Sequence, residues 1–294
     1  MKKWGFFLAI ILFLLIAINQ YLTSNKANLL KDDIEYANEE NENNDFKPIP
    51  SNRNLSVEED MINDGQLLLV NEEHPLKKNT ILDDVVNVFD YDELEKEFGL
   101  IDDDIQLSID LLNRFNDMIH EANKEGDFQF LLTSGYRSWD AQQTLYQEKG
   151  ADYALPAGYS EHNFGLALDV GSQATTMYRA KEAQWLEEKA WMYGFILRYP
   201  ENKSDITGIS YEPWHIRYVG LPHSAVMHKK NLVLEEYLKL LETEKTIDFT
   251  LGDVTYHVRY YPVHDSKTIT LPDDDYYQIS GDNKEGVIVT TYSL

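Results

Sequence analysis

Ser160-Glu161-His162-Asn163-Phe164-Gly165-Leu166-Ala167-Leu168-Asp169 carries an imidazole near one end of an apolar run and a carboxylate at the other. The continuous apolar residues predict a short buried strand from Gly165 to Val170. Gly165 lets the backbone ahead of it turn sharply, or lets another chain approach closely. An ionised Asp169 in that company is costly unless it is paired or bound to a metal.

Working outward, the neighbouring segments alternate between helical and extended patterns. Gln106 to Asn123 spaces Ile109, Leu112, Phe115 and Ile119 as one helix face, with Ser108 as N-cap and Gly126 as stop. Phe128 to Thr133 predicts a buried strand running into Ser134-Gly135-Tyr136-Arg137-Ser138. Trp139 to Lys149 predicts a helix ended by Gly150, and Ala180 to Tyr193 another, followed by a strand over Phe195 to Arg198. Tyr211 to Val219 reads as extended, because Pro213 forbids a helix interior. Ala225 to Glu244 reads as one long helix, and Leu67 to Val70 as a first strand. From Ile247 to Leu294, Thr, Val, Tyr and Ile alternate around Gly252, Pro262, Pro272 and Gly281, the pattern of a β-rich extension. The class expected is α+β: helices around a central, mainly antiparallel sheet, with a small C-terminal β-rich extension over 246–294.

Composition narrows the chemistry. The chain of 294 residues holds 26 Lys and Arg against 51 Asp and Glu, a formal charge of −25 that argues against nucleic acid as a partner. It has no cysteine, so disulfides, a Cys nucleophile and thiolate zinc sites are excluded. Any metal must sit on histidine and carboxylate. Lys2 and Lys3 precede an apolar run from Trp4 to Ile18, and Ala17-Ile18-Asn19 is a poor cleavage site. Residues 1–22 are therefore expected to form an uncleaved signal-anchor, with the rest of the chain outside the cell membrane. Residues 31–64 carry eleven acidic and three basic residues, so 23–64 is expected to be a self-repelling, disordered tether to a domain over 65–245.

Tyr211-Glu212-Pro213-Trp214-His215 supplies a second imidazole and a further carboxylate. Catalytic zinc takes three protein ligands, and a carboxylate beside it that does not ligate can act as general base. His162, Asp169 and His215 could supply the three, with Glu212 as the base. Taken singly, His162 reads better as a loop histidine than as a ligand, and Asp169 could be a cap, His215 a packed core residue and Glu212 a surface charge. His74, His120, His223, His228, His257 and His264 have no partners at ligand spacing and read as surface or structural residues.

In combination, Ser-x-His-x-x-Gly-x-Ala-x-Asp over 160–169, Glu-x-Trp-His over 212–215 and Ser-Gly-Tyr-Arg-Ser over 134–138 resemble the D-alanyl-D-alanine metallo-carboxypeptidases, the VanY and VanX group. Ala154 to His162, Tyr193 to Pro200 and Ile209 to His223 resemble VanY enzymes in particular, and the resemblance extends over roughly residues 60–294. It implies one zinc ion per chain on His162, Asp169 and His215, with Glu212 as catalytic base and Arg137 stabilising the oxyanion. It also implies that Ser160 and Gln142 contact the terminal D-alanine, and that Tyr159, Tyr211 and Trp214 line the pocket, though aromatic packing explains these three almost as well. The implied substrate is a peptidoglycan precursor stem ending in D-Ala-D-Ala, with an accessory role in resistance to vancomycin-type glycopeptides. An L,D-carboxypeptidase would share every catalytic group. A D,D-dipeptidase needs a more closed pocket, and only 24 residues separate Arg137 from His162. A non-catalytic wall-binding module would be expected to lose ligands or base, and this chain keeps all four residues.

Overall fold

The computed structural model describes residues 46–77, 84–151, 153–263 and 267–293. The signal-anchor expected over 1–22, and the tether as far as residue 45, lie outside them. No helix among the described residues is long and apolar enough to cross a membrane.

The described chain begins with strands β1 (Lys47–Pro48) and β2 (Asn54–Val57), then a 3-10 turn over Glu59–Asn63. Short strands β3 (Val85–Asn87), β4 (Gly99–Leu100) and β5 (Gln106–Ser108) lead into helix α1 (Ile109–Glu125). Ser108 caps α1, its hydroxyl accepting from Leu111 N at 3.2 Å. Strand β6 (Phe130–Ser134) follows, then α2 (Trp139–Lys149), capped in the same way by Ser138 and ended by Gly150 at φ 84°. After β7 (Ala167–Ser172) come α3 (Lys181–Lys189), which tightens into a 3-10 turn over Ala190–Tyr193, then β8 (Phe195–Leu197) and β9 (His215–Tyr218).

The expected helix over 225–244 is two helices, α4 (His223–Lys230) and α5 (Leu234–Glu244). Asn231 ends α4 in the left-handed conformation, φ 53°, which a short polar side chain tolerates. The Glu236 carboxylate then accepts from Val233 N at 3.0 Å and starts α5. Strands β10 (Thr246–Leu251), β11 (Val254–Pro262), β12 (Lys267–Thr270), β13 (Tyr276–Gly281) and β14 (Gly286–Tyr292) complete the chain.

The central sheet has the order β4-β6-β7-β9-β8 and is antiparallel except for β4 against β6. Its core joins Leu132, Leu168, Val170 and Ile216 to Leu112, Phe115 and Ile119 of α1 and to Trp185 and Leu186 of α3. The second sheet runs β1-β13-β14-β11-β10, and β12 pairs with β2 beside it. Residues 46–64 are thus folded rather than a tether. The acidic count obscured Leu55, Val57 and Ile62, which pack with Val263, Ile269 and Leu271.

Leu67 to Val70 is also not a strand, although all four residues are 0–4% exposed. Its backbone groups are satisfied by other elements: Leu67 N donates to Ser280 Oγ at 2.8 Å, Leu69 N to Asp282 O at 3.2 Å, and Asn283 Nδ2 to Leu69 O at 2.9 Å. The segment is wedged among α4, α5 and the second sheet, sharing a core with Val226, Tyr237, Leu241, Val258 and Ile288.

Candidate active site

Adjacent central strands bring together residues far apart in sequence. Asp169 on β7 is paired with His215 at the start of β9, and on its other side with Ser134 of β6. The β6–β7 register shifts between Leu132 and Ser134, a bulge that breaks the regular alternation of side chains next to the site. His162 arrives on a 3-10 turn, Glu161–Asn163, capped by the Ser160 hydroxyl. Gly165, at φ 81°, then reverses the chain into β7.

The His162, Asp169 and His215 ligand atoms lie within 4.8 Å of one another. His162 Nε2 is 3.3 Å from Asp169 Oδ2, and His215 Nδ1 is 3.0 Å from Asp169 Oδ1. The outer nitrogen of each ring is already occupied. His162 Nδ1 donates to the Gly135 carbonyl at 2.8 Å, and His215 Nε2 faces Glu161 Oε2 at 3.3 Å. In the neutral tautomer with its outer N–H so committed, each ring turns a lone pair toward the carboxylate. Three acceptors converging in this way form a site that a cation, either a proton or a metal ion, satisfies. The same field acts on protons: burial alone would lower the His215 pKa, but its hydrogen bonds to Asp169 and Glu161 raise it to about 9. Asp169 is held far below the usual carboxylate range, the two imidazoles overcoming the cost of its burial. Two nitrogens and one carboxylate form a donor set that suits zinc.

Glu212 stands at the rim, its Oε2 4.0 Å from His215 Nδ1. Burial, reinforced by the negative charges of Asp169 and Glu161, moves its pKa above the ordinary carboxylate range despite His215. Arg137 is tied to the site by backbone and side chain. Its N–H donates to the His162 carbonyl at 2.9 Å, while its guanidinium donates to Gln142 Oε1 at 2.7 Å and Ser134 Oγ at 3.0 Å. Both hydrogen-bonding side-chain partners are neutral, and the Asp169 carboxylate acts on the guanidinium from nearby.

Gln142, expected to contact the terminal D-alanine, makes internal contacts. It is 1% exposed, and both ends of its amide are used internally, on Arg137 and on the Leu155 carbonyl. It braces the guanidinium. Ser160 is buried with its hydroxyl on His162 N, whereas Tyr159 is half-buried. Tyr211 and Trp214 form one wall with Tyr178, whose ring meets theirs nearly edge-on at 5.9 and 5.6 Å.

Sequence reasoning did not single out Ser134, Tyr178 or Glu161. Glu161 had a readable signal: Arg198 and Arg217 stand in apolar strand contexts, and buried cations require a buried anion.

Residues 104–221 match the VanY family, described as D-alanyl-D-alanine carboxypeptidase. A D-alanyl-D-alanine carboxypeptidase of Enterococcus faecium is 47% identical over 296 residues, spanning 99% of this chain and 97% of its own. The chain belongs to the VanY family of D-alanyl-D-alanine carboxypeptidases. It is a peptidase hydrolase with the α+β fold of that group. The bifunctional D-Ala-D-Ala dipeptidase and carboxypeptidase VanXYC of Enterococcus gallinarum is 39% identical over 188 residues, covering 58% of this chain and 92% of its own. A solved vancomycin-resistance D,D-dipeptidase, VanXYg, bound to a D-Ala-D-Ala phosphinate analogue, superimposes with a TM-score of 0.69 at 30% identity. That match covers 84% of this chain and 99% of VanXYg. The VanY-matched segment contains Arg137, His162, Asp169, Glu212 and His215.

Proposed function

We propose that the chain is a zinc-dependent D,D-carboxypeptidase that removes the terminal D-alanine from peptidoglycan precursor stems ending in D-Ala-D-Ala. The observation that carries this reading is the convergence of His162, Asp169 and His215, with Glu212 beside His215 and Arg137 bonded to Ser134, the β6 partner of Asp169. His162, Asp169 and His215 hold the metal. Bound there, zinc supplies Lewis-acid polarisation of the scissile carbonyl and makes a water acidic enough to deprotonate near neutral pH.

Glu212 takes that proton and returns it to the leaving amine, a role suited to a carboxylate whose pKa burial has raised. Arg137 presents a braced guanidinium to the oxygen on which negative charge develops, and the attraction strengthens as the charge grows. Ser160 and Tyr159 flank the terminal residue. Tyr211 and Trp214, extended by Tyr178, guide the preceding peptide. Removal of the terminal D-alanine destroys the target of vancomycin-type drugs, which fits an accessory role in resistance. Residues 1–22 anchor the enzyme to the cell membrane with its active site outside.

The test is mass spectrometry of pentapeptide, tetrapeptide and free D-Ala-D-Ala digests, each with and without a chelator. Chelator-sensitive loss of one D-alanine from the pentapeptide is expected. Cleavage confined to the tetrapeptide would replace this reading with an L,D-carboxypeptidase. Cleavage of the free dipeptide as well would give the dual activity carried by the VanXYC relative.

A further inference from the structure

Directly behind the candidate metal centre is a buried ionic relay that the proposed chemistry does not use. Glu161 has a fully buried side chain, with Oε2 on His215 Nε2 at 3.3 Å. Its other oxygen accepts from Arg198 Nε at 2.8 Å and Arg217 Nη1 at 2.7 Å, and both arginine side chains are themselves fully buried. Arg198 continues outward to Glu235 on α5 through two parallel hydrogen bonds of 2.9 and 2.7 Å. Arg217 continues to the carbonyls of Gln66 and Leu68 at 2.8 and 3.1 Å. Burying three charges is expensive, and apolar residues of similar size would often serve stability as well. The geometry has a more specific consequence: the carboxylate that receives the His215 N–H cannot move while two guanidinium groups grip it from different strands.

We propose that Glu161 is the positioning residue for His215, and that Arg198 and Arg217 fix it using anchors outside the VanY-matched segment, namely Glu235 and the Gln66–Leu68 backbone. A carboxylate on the outer nitrogen of a metal-binding imidazole fixes its tautomer and ring orientation and makes the facing nitrogen a stronger donor. By this route α5 and the 66–70 wedge, which pack on the second sheet, take part in holding the metal. The inference rests on the zinc reading of the site.

The experiment measures zinc affinity by chelator competition, and the visible bands of the cobalt-substituted protein, for wild type, Glu161→Gln, Glu235→Gln and Lys203→Met. Lys203 pairs with Glu236 at 2.7 Å on the same helix but has no link to His215, so Lys203→Met matches Glu235→Gln as the loss of one ion pair. Zinc affinity is expected to fall about 10- to 100-fold in Glu161→Gln, and less in Glu235→Gln, each with altered cobalt bands. Lys203→Met should leave both readouts unchanged. Should Glu161→Gln fail to fold, Glu235→Gln against Lys203→Met decides the matter. Wild-type affinity and bands in folded Glu161→Gln and Glu235→Gln, or an equal loss in Glu235→Gln and Lys203→Met, would overturn the inference while leaving the zinc reading intact. A wild-type chain that retains no zinc would overturn both.

Discussion

At the scale of single residues, Glu212 and Glu161 show how position divides the work of two chemically identical side chains. Both lie near His215, but Glu161 is locked between two guanidinium groups and held well below the usual carboxylate range, whereas Glu212 is partly open and moved upward. Under the proposed mechanism, the second is the one placed to exchange a proton with substrate. Glu212→Gln should therefore lower kcat by about 10²- to 10⁴-fold with zinc content unchanged, measured by D-alanine release alongside elemental analysis. Near-normal turnover would remove Glu212 from the mechanism. The cluster of His162, Asp169 and His215 was legible in the sequence because, without cysteine, few residue types can hold a metal, and their spacing was distinctive. The internal contacts of Gln142 were not legible, because nothing in a sequence shows which way an amide faces. Glu161 was passed over although it adjoins a predicted ligand, because its partners Arg198 and Arg217 stand 37 and 56 residues away.

At the scale of elements, capped and strongly periodic segments were legible, as with α1 and its Ser108 cap or α2 and its Gly150 stop. What was lost depended on tertiary partners. The α4–α5 break rests on one left-handed asparagine, and Leu67 to Val70 looks like a strand because it is buried, not because it pairs. The joint between α4, α5 and β14 carries its own prediction. His223 Nδ1 is 2.8 Å from the Tyr237 hydroxyl and its Nε2 is 3.2 Å from Thr290 Oγ1, in a site where burial lowers its pKa from 6.5 to about 3. Between those two values the unfolded chain binds the proton and the folded chain does not. His223 thus opposes folding increasingly as pH falls from 6.5 toward 3, by at most about 1.4 kcal/mol per pH unit. Urea unfolding at several pH values should give a shallower acid slope for His223→Gln than for wild type, because the pH dependence of metal binding is common to both chains. Equal slopes would show that the histidine does not titrate in this window.

At the scale of the whole molecule, the sequence suggested a catalytic domain with a β-rich extension attached at residue 246. The structure instead shows an extension that supplies part of the core beneath the site. Tyr237, Leu238 and Leu241 of α5 pack with Val258, Tyr260 and Ile288 of the second sheet, and the 66–70 wedge hangs its backbone on Ser280, Asp282 and Asn283. That wedge supplies the carbonyls that hold Arg217, which in turn holds Glu161. A chain ending at residue 245 would expose Leu67, Leu69, Tyr237 and Leu241 in part. Each side chain left partly exposed forfeits a share of the roughly 1.5–3 kcal/mol that full burial contributes, and four together remove a sizeable part of the ~5–15 kcal/mol that keeps a domain folded. The truncated chain is expected to show no cooperative thermal transition and to retain no zinc against a chelator that leaves the full chain loaded. A cooperative transition with zinc still held would mean that the second sheet is a passenger, and that residues up to 245 position His215 unaided.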